Sequence, residues 1–323
     1  LELFGVRPDY LVGQSMSEYV VATLAGILTV EDAVGLTVVR SRAMANVGID
    51  GAMLAARCGS NEAERILTED AWRDRAEAGE ISVGVVNSNT SVVFTGKREL
   101  LERLQGRLEQ LQIPNHLLNT AGVPGHSPLM EPATSIIDAQ VRILEKRLPK
   151  VAIALNSGSL HGVKVPLPES HWSGQATGTI RFDRSIQTMV AAGVTALIDL
   201  GPSRNLARFA HGAINPKDRK TSIPSIVPAA RDENDEESTD RHVLLECLGA
   251  LWAAGVPVDW KRASDQLEPF GTRRRLPLPT YSFDGHRCWP EDQPAGAALP
   301  QLGERERHKA EVFSYAQTWT EKM

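Results

Sequence analysis

The stretch Pro8–Leu28 reads PDYLVGQSMSEYVVATLAGIL and places a serine between a strand and a helix. Residues Tyr10–Val12 form an apolar run that predicts a short strand, and from Met16 onward apolar residues recur at helical spacing. Ser15 lies at the corner between them, two residues after Gly13. A serine on such a turn is typical of a nucleophile elbow, which lifts the hydroxyl clear of the sheet and faces it toward free helix N–H groups.

The same residues allow a second interpretation of this serine. Serine is a favoured N-cap residue, and Glu18 follows Ser15 at the spacing of a capping box. In that case the hydroxyl would only start the helix. The rest of the chain has to distinguish a nucleophile from a cap.

Composition limits the class of protein. The chain has 323 residues, which predicts about two domains of ~150 residues each, and a formal net charge of −5 at pH 7. This acidity argues against nucleic acid as the main partner, since only Thr272–Arg275 is locally basic. Cys58, Cys247 and Cys288 lie far apart, which predicts a reducing compartment with neither disulfides nor a zinc site. No apolar run reaches ~18 residues and no signal peptide is evident, so we expect a cytoplasmic protein without membrane contact.

Strand and helix patterns divide the chain into an α/β part and an insert. Residues 1–50 and 122–210 alternate buried-type strands with helices, which predicts a parallel-sheet core. Residues 51–121 contain several strand runs and an amphipathic helix, which predicts a small inserted α+β subdomain with an antiparallel sheet. Residues 211–291 are less regular, and residues 292–323 have the composition of a linker.

The elbow and several downstream segments share one pattern. Gly13–Glu18 reads GQSMSE, and the later segments read GHSPLMEPA, HWSGQATGTIRF, LIDLGPSRNL, LGALWAAGVPVDW and RRRLPLPTYSFDGHRCW, in that order. Together they resemble the acyltransferase domain of modular type I polyketide synthases and its relative, malonyl-CoA:acyl-carrier-protein transacylase. That family has Gly-His-Ser-x-Gly-Glu at its elbow, from which Gln14 and Ser17 depart. The resemblance covers residues 1 to about 291.

The resemblance implies a fold. Residues 1–50 and 122–210 would form an α/β-hydrolase-like parallel-sheet subdomain, with a ferredoxin-like α+β subdomain inserted at 51–121. Residues 211–291 would be the linker that wraps back over the domain, and residues 292–323 an interdomain linker. Domains of the family begin with a strand and a Gly-Gln-Gly-Ser-Gln loop that supplies an oxyanion donor. This sequence starts after that loop, so we expect it to be an excerpt from a longer polypeptide.

The resemblance also implies catalytic roles. Ser15 would be the nucleophile that a malonyl-type thioester acylates. His126 would take the serine proton and return it to the leaving thiol. Gln175 stands where the family keeps a Gln or Asn that helps hold this histidine. The alternative is a surface glutamine in a loop after Trp172.

Arg40 bears on the substrate class. It follows Ser15 by 25 positions, where the family has the arginine that binds the free carboxylate of malonyl groups. A guanidinium binds a carboxylate bidentately, and such a pair is stronger in a dry pocket than at the surface. The alternative is a helix arginine that extends to solvent, as we expect for Arg42. A buried cation in the acyl pocket would give an esterase for neutral acyl groups no advantage.

The acyl side-chain pocket matches neither common form of the family. The residues before the histidine, Val123–Gly125, read VPG, where a Phe before the histidine accompanies malonyl and a Ser methylmalonyl. Gly125 has no side chain to fill the space of the α-substituent, and the Met16 side chain is flexible enough to yield to a larger substituent. We therefore expect Gln14, Met16, Gly125 and Gln175 to line the substrate site with Arg40, and the substrate to be an α-substituted malonyl unit larger than methylmalonyl.

The implied partners follow from the same family. We expect no permanently bound cofactor and no metal, with malonyl-type acyl-CoA as substrate and the phosphopantetheine of an acyl carrier protein as acceptor. A ketosynthase would lie upstream, and VFSYAQTWTEKM resembles the start of a ketoreductase downstream. Two alternatives remain open: a serine thioesterase or hydrolase of the same fold, and a degenerate structural spacer, for which Gln14 and Ser17 would be signs of decay.

Overall fold

The computed structural model describes residues 1–201, 203–214, 225–228 and 240–267. Its strands are β1 (Tyr10–Val12), β2 (Gly51–Ala56), β3 (Ile81–Ser88), β4 (Ser91–Lys97), β5 (Asn115–Leu118), β6 (Ala152–Ala154), β7 (Leu160–His161), β8 (Ile180–Arg181), β9 (Ala196–Asp199) and β10 (Ser225–Pro228). Its helices are α1 (Ser17–Leu24), α2 (Val30–Ala45), α3 (Ser60–Leu67), α4 (Arg73–Glu77), α5 (Arg98–Gln110), α6 (Thr134–Arg142), α7 (His171–Thr177), α8 (Phe182–Ala191), α9 (Asn205–Ala213), α10 (Asp240–Ala253) and α11 (Trp260–Leu267). Short 3-10 turns lie at Glu2–Phe4 and Pro128–Ala133.

Parallel pairing organises the α/β core, as predicted. β1 pairs in parallel with β6, where Leu11 lies opposite Ile153, and β7 adds to β6 in the antiparallel sense. β9 and β10 form a second parallel pair. Within the described residues these strands make a three-stranded and a two-stranded sheet rather than one continuous sheet. Because β1 and β6 run parallel, the segments after both strands lie at the same edge of the sheet.

The insert has its own sheet, with the strand order β5-β2-β4-β3-β8. From β2 to β5 the elements follow the order β-α-β-β-α-β, apart from the additional short helix α4, and their four strands pair antiparallel. This is the element order of the ferredoxin-like arrangement. β8 extends the sheet by pairing in parallel with β3, although it lies outside residues 51–121. The sheet of the insert therefore includes a strand from the second core segment.

Two of the hydrophobic clusters stabilise the insert and the helices around Ser15. One lies inside the insert, where the leucines of α5 at 100, 101, 104 and 108 pack on the sheet. The other joins α1, α2, α6 and α7, and in it Tyr19 stacks on Trp172 with a centroid distance of 4.3 Å. Burying one leucine or aromatic side chain contributes about 1.5–3 kcal/mol. The second cluster packs α7 against α1 and so positions the residues of the candidate site.

The last described helices, α10 and α11, lie in the predicted linker of residues 211–291. The proline-rich run, Cys288, residues Thr272–Arg275 and residues 292–323 lie outside the described residues. Within the described ranges, no helix combines the length and apolar character needed to cross a bilayer.

Candidate active site

Ser15 lies in a strained turn between β1 and α1. Its φ of 54° falls in the left-handed region, which residues with a side chain rarely adopt. The turn is also too tight for a side chain at Gly13, since a Cβ there would lie 2.6 Å from the backbone nitrogen of Glu18 and from the carbonyl group of Ser17. The capping alternative is wrong, because Met16 is the N-cap residue of α1 and its side chain caps no helix N–H.

Substituting Gly13 by alanine should distort this turn. We expect Gly13→Ala to lower the free energy of unfolding by about 1–3 kcal/mol, as overpacking does, and to lower the reactivity of Ser15. Denaturant titration and Ser15 labelling measure the two effects. The matched control is Gly35→Ala in α2, where no heavy atom lies within 4 Å of the added Cβ. That change should be neutral or stabilising by up to ~1 kcal/mol. Equal effects of both variants would contradict the prediction.

Ser17 compensates for the glycine that the family has at this position. Its hydroxyl accepts a hydrogen bond from the Gln14 N–H at 2.7 Å and donates to the Gln14 carbonyl at 2.8 Å. The Gln14 side chain, predicted to face substrate, donates from Nε2 to Asn87 Oδ1 on β3 at 3.1 Å. Both departures from the family motif therefore make hydrogen bonds that close the elbow and connect it to the insert.

The structure brings Ser15 and His126 together from positions 111 residues apart. Ser15 Oγ lies 2.6 Å from His126 Nε2, and His126 Nδ1 lies 2.7 Å from the carbonyl oxygen of Gln175. A carbonyl oxygen only accepts, so Nδ1 carries the proton and Nε2 presents its lone pair to the serine hydroxyl. This is the arrangement of a nucleophile, a general base and an orienting acceptor.

Burial sets the charge state of His126. Desolvation and the nearby charge of Arg40 lower its pKa, while the hydrogen bond to Gln175 and the charge of Glu18 raise it, and the pKa falls from 6.5 to about 4. The imidazole is therefore neutral at pH 7, which is the form that accepts a proton from Ser15.

This low pKa predicts an unusual pH profile. As pH falls, the base is lost only when His126 becomes protonated, so Ser15 reactivity should halve near pH 4 and stay constant between about pH 6 and 8. Labelling by an uncharged fluorophosphonate measures this profile. Such a reagent carries no anion to neutralise Arg40, whose positive charge helps to lower the pKa of His126. Circular dichroism at each pH separates titration from acid unfolding. A rate that halves near pH 6.5 would contradict the prediction.

Gln175 contacts His126 through its backbone and other residues through its side chain. Its backbone carbonyl, not its side chain, holds His126. The side-chain Nε2 instead donates to the Ser15 carbonyl and to Glu18 Oε2, each at 2.9 Å. The residue is buried in α7, so the alternative of a surface glutamine is wrong. It contacts both members of the catalytic pair.

Arg40 is buried although it has no counterion among the residues that the structure describes. It lies on the face of α2 that also buries Leu36, Ala43 and Met44, and only 6% of it is exposed, so the solvent-reaching alternative is wrong. Nη1 donates to the sulfur of Met16 at 3.1 Å, and Nε has no hydrogen-bond partner in the described part of the chain. No described carboxylate lies within ion-pair distance of it. Burial accordingly lowers the pKa of the guanidinium. A buried, uncompensated cation of this kind is costly, and a bound anion would offset the cost.

Met16 and Gly125 complete the set of residues predicted from the sequence. The Met16 N–H follows the nucleophile and has no acceptor among the described residues, so it is free to bind an oxyanion. The Gly125 carbonyl accepts a hydrogen bond from Thr95 Oγ1 of the insert at 2.8 Å. A Cβ at Gly125 would lie 3.5 Å from Cε of Met44, which is ordinary contact. The effect of this glycine on pocket size stays a prediction.

Two residues near Ser15 were missed by the sequence reasoning. Asn156 follows β6, and its Oδ1 accepts a hydrogen bond from the Ser15 N–H at 3.1 Å. The carboxylate of Glu18, considered only as a cap, is turned inward and 1% exposed. One signal in the sequence could have identified Asn156. It is a polar residue just after β6, and β6 ends beside β1, the strand that precedes Ser15.

Comparisons with known proteins cover most of the chain. Residues 1–246 match the family model of the acyl transferase domain. Polyketide synthase GfsA of Streptomyces halstedii is 29% identical over 297 residues, which are 90% of this chain and 4% of the relative. The acyltransferase domain from the second module of the salinomycin polyketide synthase is 27% identical with a TM-score of 0.69, covering 87% of this chain and 62% of that one. The acyl transferase domain of SpnD in complex with 2-(pent-4-yn-1-yl)malonyl is 26% identical with a TM-score of 0.68, covering 80% and 58%. The chain thus spans less than two thirds of the length of each of these relatives.

Proposed function

The chain belongs to the acyl transferase domain family, as its motifs predicted, and from this premise we propose that it transfers a malonyl-type acyl group from CoA to the phosphopantetheine thiol of an acyl carrier protein. The curated and structural relatives named above are polyketide synthases or their acyl transferase domains, which supports a role within such a synthase. Its partners would be the carrier protein, a ketosynthase domain and a ketoreductase domain.

One observation carries the choice of substrate: the uncompensated Arg40 guanidinium. A buried cation without a carboxylate partner favours a ligand that brings its own negative charge. Malonyl groups carry a free carboxylate, and neutral acyl groups do not. The charge of Arg40 also lowers the pKa of His126, so the cation acts on the catalytic base itself. The buried positive charge of Arg40 therefore supports an acidic acyl group as substrate.

The chemistry follows from the hydrogen bonds of the pair. His126 Nε2 accepts the proton of Ser15 as Oγ attacks the thioester carbonyl. The Met16 N–H and the start of α1 face the oxyanion that forms. Collapse of this tetrahedral intermediate breaks the carbon–sulfur bond, and His126 returns the proton to the CoA thiolate. In the second half-reaction His126 takes the proton of the pantetheine thiol, and the sulfur attacks the carbonyl carbon of the acyl-serine. The bond from that carbon to Ser15 Oγ then breaks, and His126 returns the proton to Oγ, which regenerates the Ser15 hydroxyl.

The acyl side chain is proposed to be larger than methyl. Gly125 has no side chain before His126, and Met16 is unbranched and 38% exposed. A relative of similar fold is described in complex with a 2-(pent-4-yn-1-yl)malonyl group, which supports a substituted malonyl unit here as well.

Intact-mass spectrometry after incubation with malonyl-, ethylmalonyl- and acetyl-CoA tests the proposal. We expect a malonyl-type adduct on Ser15 that discharges to carrier protein faster than to water, and little adduct from acetyl-CoA. Rapid discharge to water would instead indicate a thioesterase. Absence of any adduct, together with no labelling by a fluorophosphonate, would indicate a structural spacer. A strong preference for malonyl-CoA over ethylmalonyl-CoA would overturn only the proposed side chain.

A further inference from the structure

Glu18 is a buried charge beside the nucleophile that the mechanism above does not use. Its Oε1 accepts the backbone N–H of Asn156 at 2.9 Å. Its Oε2 accepts Gln175 Nε2 at 2.9 Å and lies 3.3 Å from His171 Nε2. Burial alone would raise the pKa of this carboxyl, but His171 and the hydrogen bonds from Asn156 bring the pKa below its ordinary value. Glu18 is therefore an ionised carboxylate with two hydrogen-bond donors and the His171 imidazole beside it.

Each hydrogen-bonded neighbour of Glu18 also binds the peptide groups of Ser15. Asn156 accepts from the Ser15 N–H through Oδ1 at 3.1 Å, and Gln175 donates to the Ser15 carbonyl at 2.9 Å. The Glu18 N–H donates to that carbonyl as well, at 3.0 Å. The strained φ of Ser15 is thus held from both sides by residues that the carboxylate fixes.

The same carboxylate reaches His126 through Gln175. Gln175 binds Glu18 with its side chain, and its backbone carbonyl oxygen lies 2.7 Å from Nδ1 of His126 and orients the imidazole. A shift of Gln175 would therefore move the histidine relative to the serine hydroxyl.

We propose that Glu18, supported by His171, is a positioning residue that holds Ser15 and His126 in register through Asn156 and Gln175. The inference rests on the proposed function, because it assigns Glu18 a part in preparing the pair for acyl transfer. Glu18 touches neither reacting atom. It acts on the rate of the chemical step and leaves the binding of the acyl carboxylate to Arg40.

The isosteric variant Glu18→Gln tests this role. An amide has one acceptor oxygen, so its NH₂ group must face a donor, either Asn156 N–H or Gln175 Nε2. We expect the fluorophosphonate labelling rate of Ser15 and kcat to fall about tenfold or more, since small misplacements of reacting groups are that costly. KM for the acyl-CoA should change less than about threefold, because Arg40 is untouched. The matched control is Glu31→Gln, an exposed glutamate in the first turn of α2, which should label at the wild-type rate.

A second pair of variants keeps the test decisive should Glu18→Gln fail to fold. His171→Phe removes the polar ring nitrogen 3.3 Å from Oε2, and His171→Gln keeps a polar side chain at this position, with an amide N–H that can face the carboxylate. We expect slower labelling in the first and recovery in the second. Equal labelling of wild type, Glu18→Gln and His171→Phe would overturn the positioning role. An equal rise in KM and fall in kcat would also overturn it, in favour of a merely structural role. Because labelling needs no acyl-CoA, a wild-type protein that labels but transfers no malonyl group would overturn the proposed function alone.

Discussion

Ser15→Ala is expected to form no acyl-enzyme and to lower transfer to carrier protein by a factor on the order of 10⁴ or more. The reason is that, in the proposed reaction, the hydroxyl 2.6 Å from His126 is the nucleophile of the first half-reaction and the leaving group of the second, and a methyl group offers no substitute. Intact-mass spectrometry after incubation with a malonyl-type acyl-CoA measures the first effect, and transfer of radiolabel to carrier protein measures the second.

The control for this variant is an exposed serine. Ser157 lies on the surface, and within the described ranges its hydroxyl bonds only to that of Ser159, so Ser157→Ala should keep full adduct formation. A covalent adduct of unchanged yield in Ser15→Ala would place the nucleophile elsewhere and contradict the assignment.

Arg40→Ala is expected to lower kcat/KM for malonyl-type acyl-CoA by about 10²–10³, the cost of leaving one partner of a desolvated ion pair unmatched. The loss for acetyl-CoA should be much smaller, because that substrate has no carboxylate for the guanidinium. Competition between the two acyl-CoAs, read as the ratio of adducts on Ser15, measures the change. Arg40→Lys should recover only part of the preference, since an ammonium cannot bind a carboxylate as a planar fork.

Stability separates this effect from misfolding. Arg40 is buried with no described counterion, so removing its charge should leave the free energy of unfolding unchanged or raise it. Arg42→Ala, on the exposed side of α2, is the matched control and should alter neither specificity nor stability. An unchanged malonyl-to-acetyl ratio in Arg40→Ala would remove the basis for an acidic acyl substrate.

The sequence pattern was sufficient for the elements around the site. Apolar spacing after Met16 predicted α1, and the amphipathic pattern in the insert predicted α5, because each of these helices buries one face. β8 was missed since its two residues are too few to show alternation. Its pairing with β3 depends on the three-dimensional path of the chain.

The sequence motifs predicted which residues form the candidate site. Only the structure shows which atoms of those residues make the hydrogen bonds. Gln175 was predicted to hold His126, but a sequence names a residue and not whether its carbonyl or its amide makes the bond. Glu18 at capping-box spacing was equally ambiguous, because the same side chain can turn back to the helix start or inward to a partner such as Gln175, 157 residues away. The spacing of neighbouring residues in the sequence does not show which of these two orientations the Glu18 side chain adopts.

Two side-chain hydrogen bonds between the insert and the loops that carry Ser15 and His126 bear on recombination between related synthases. Gln14 depends on Asn87, and the carbonyl before His126 depends on Thr95. Exchanging residues 51–121 as a cassette would replace Asn87 and Thr95 while Gln14 and Gly125 stay. Both hydrogen bonds would then be lost, and His126, which follows Gly125, would shift. A chimera that carries Gln14 and Gly125 together with their contacts on β3 and β4 keeps the machinery intact.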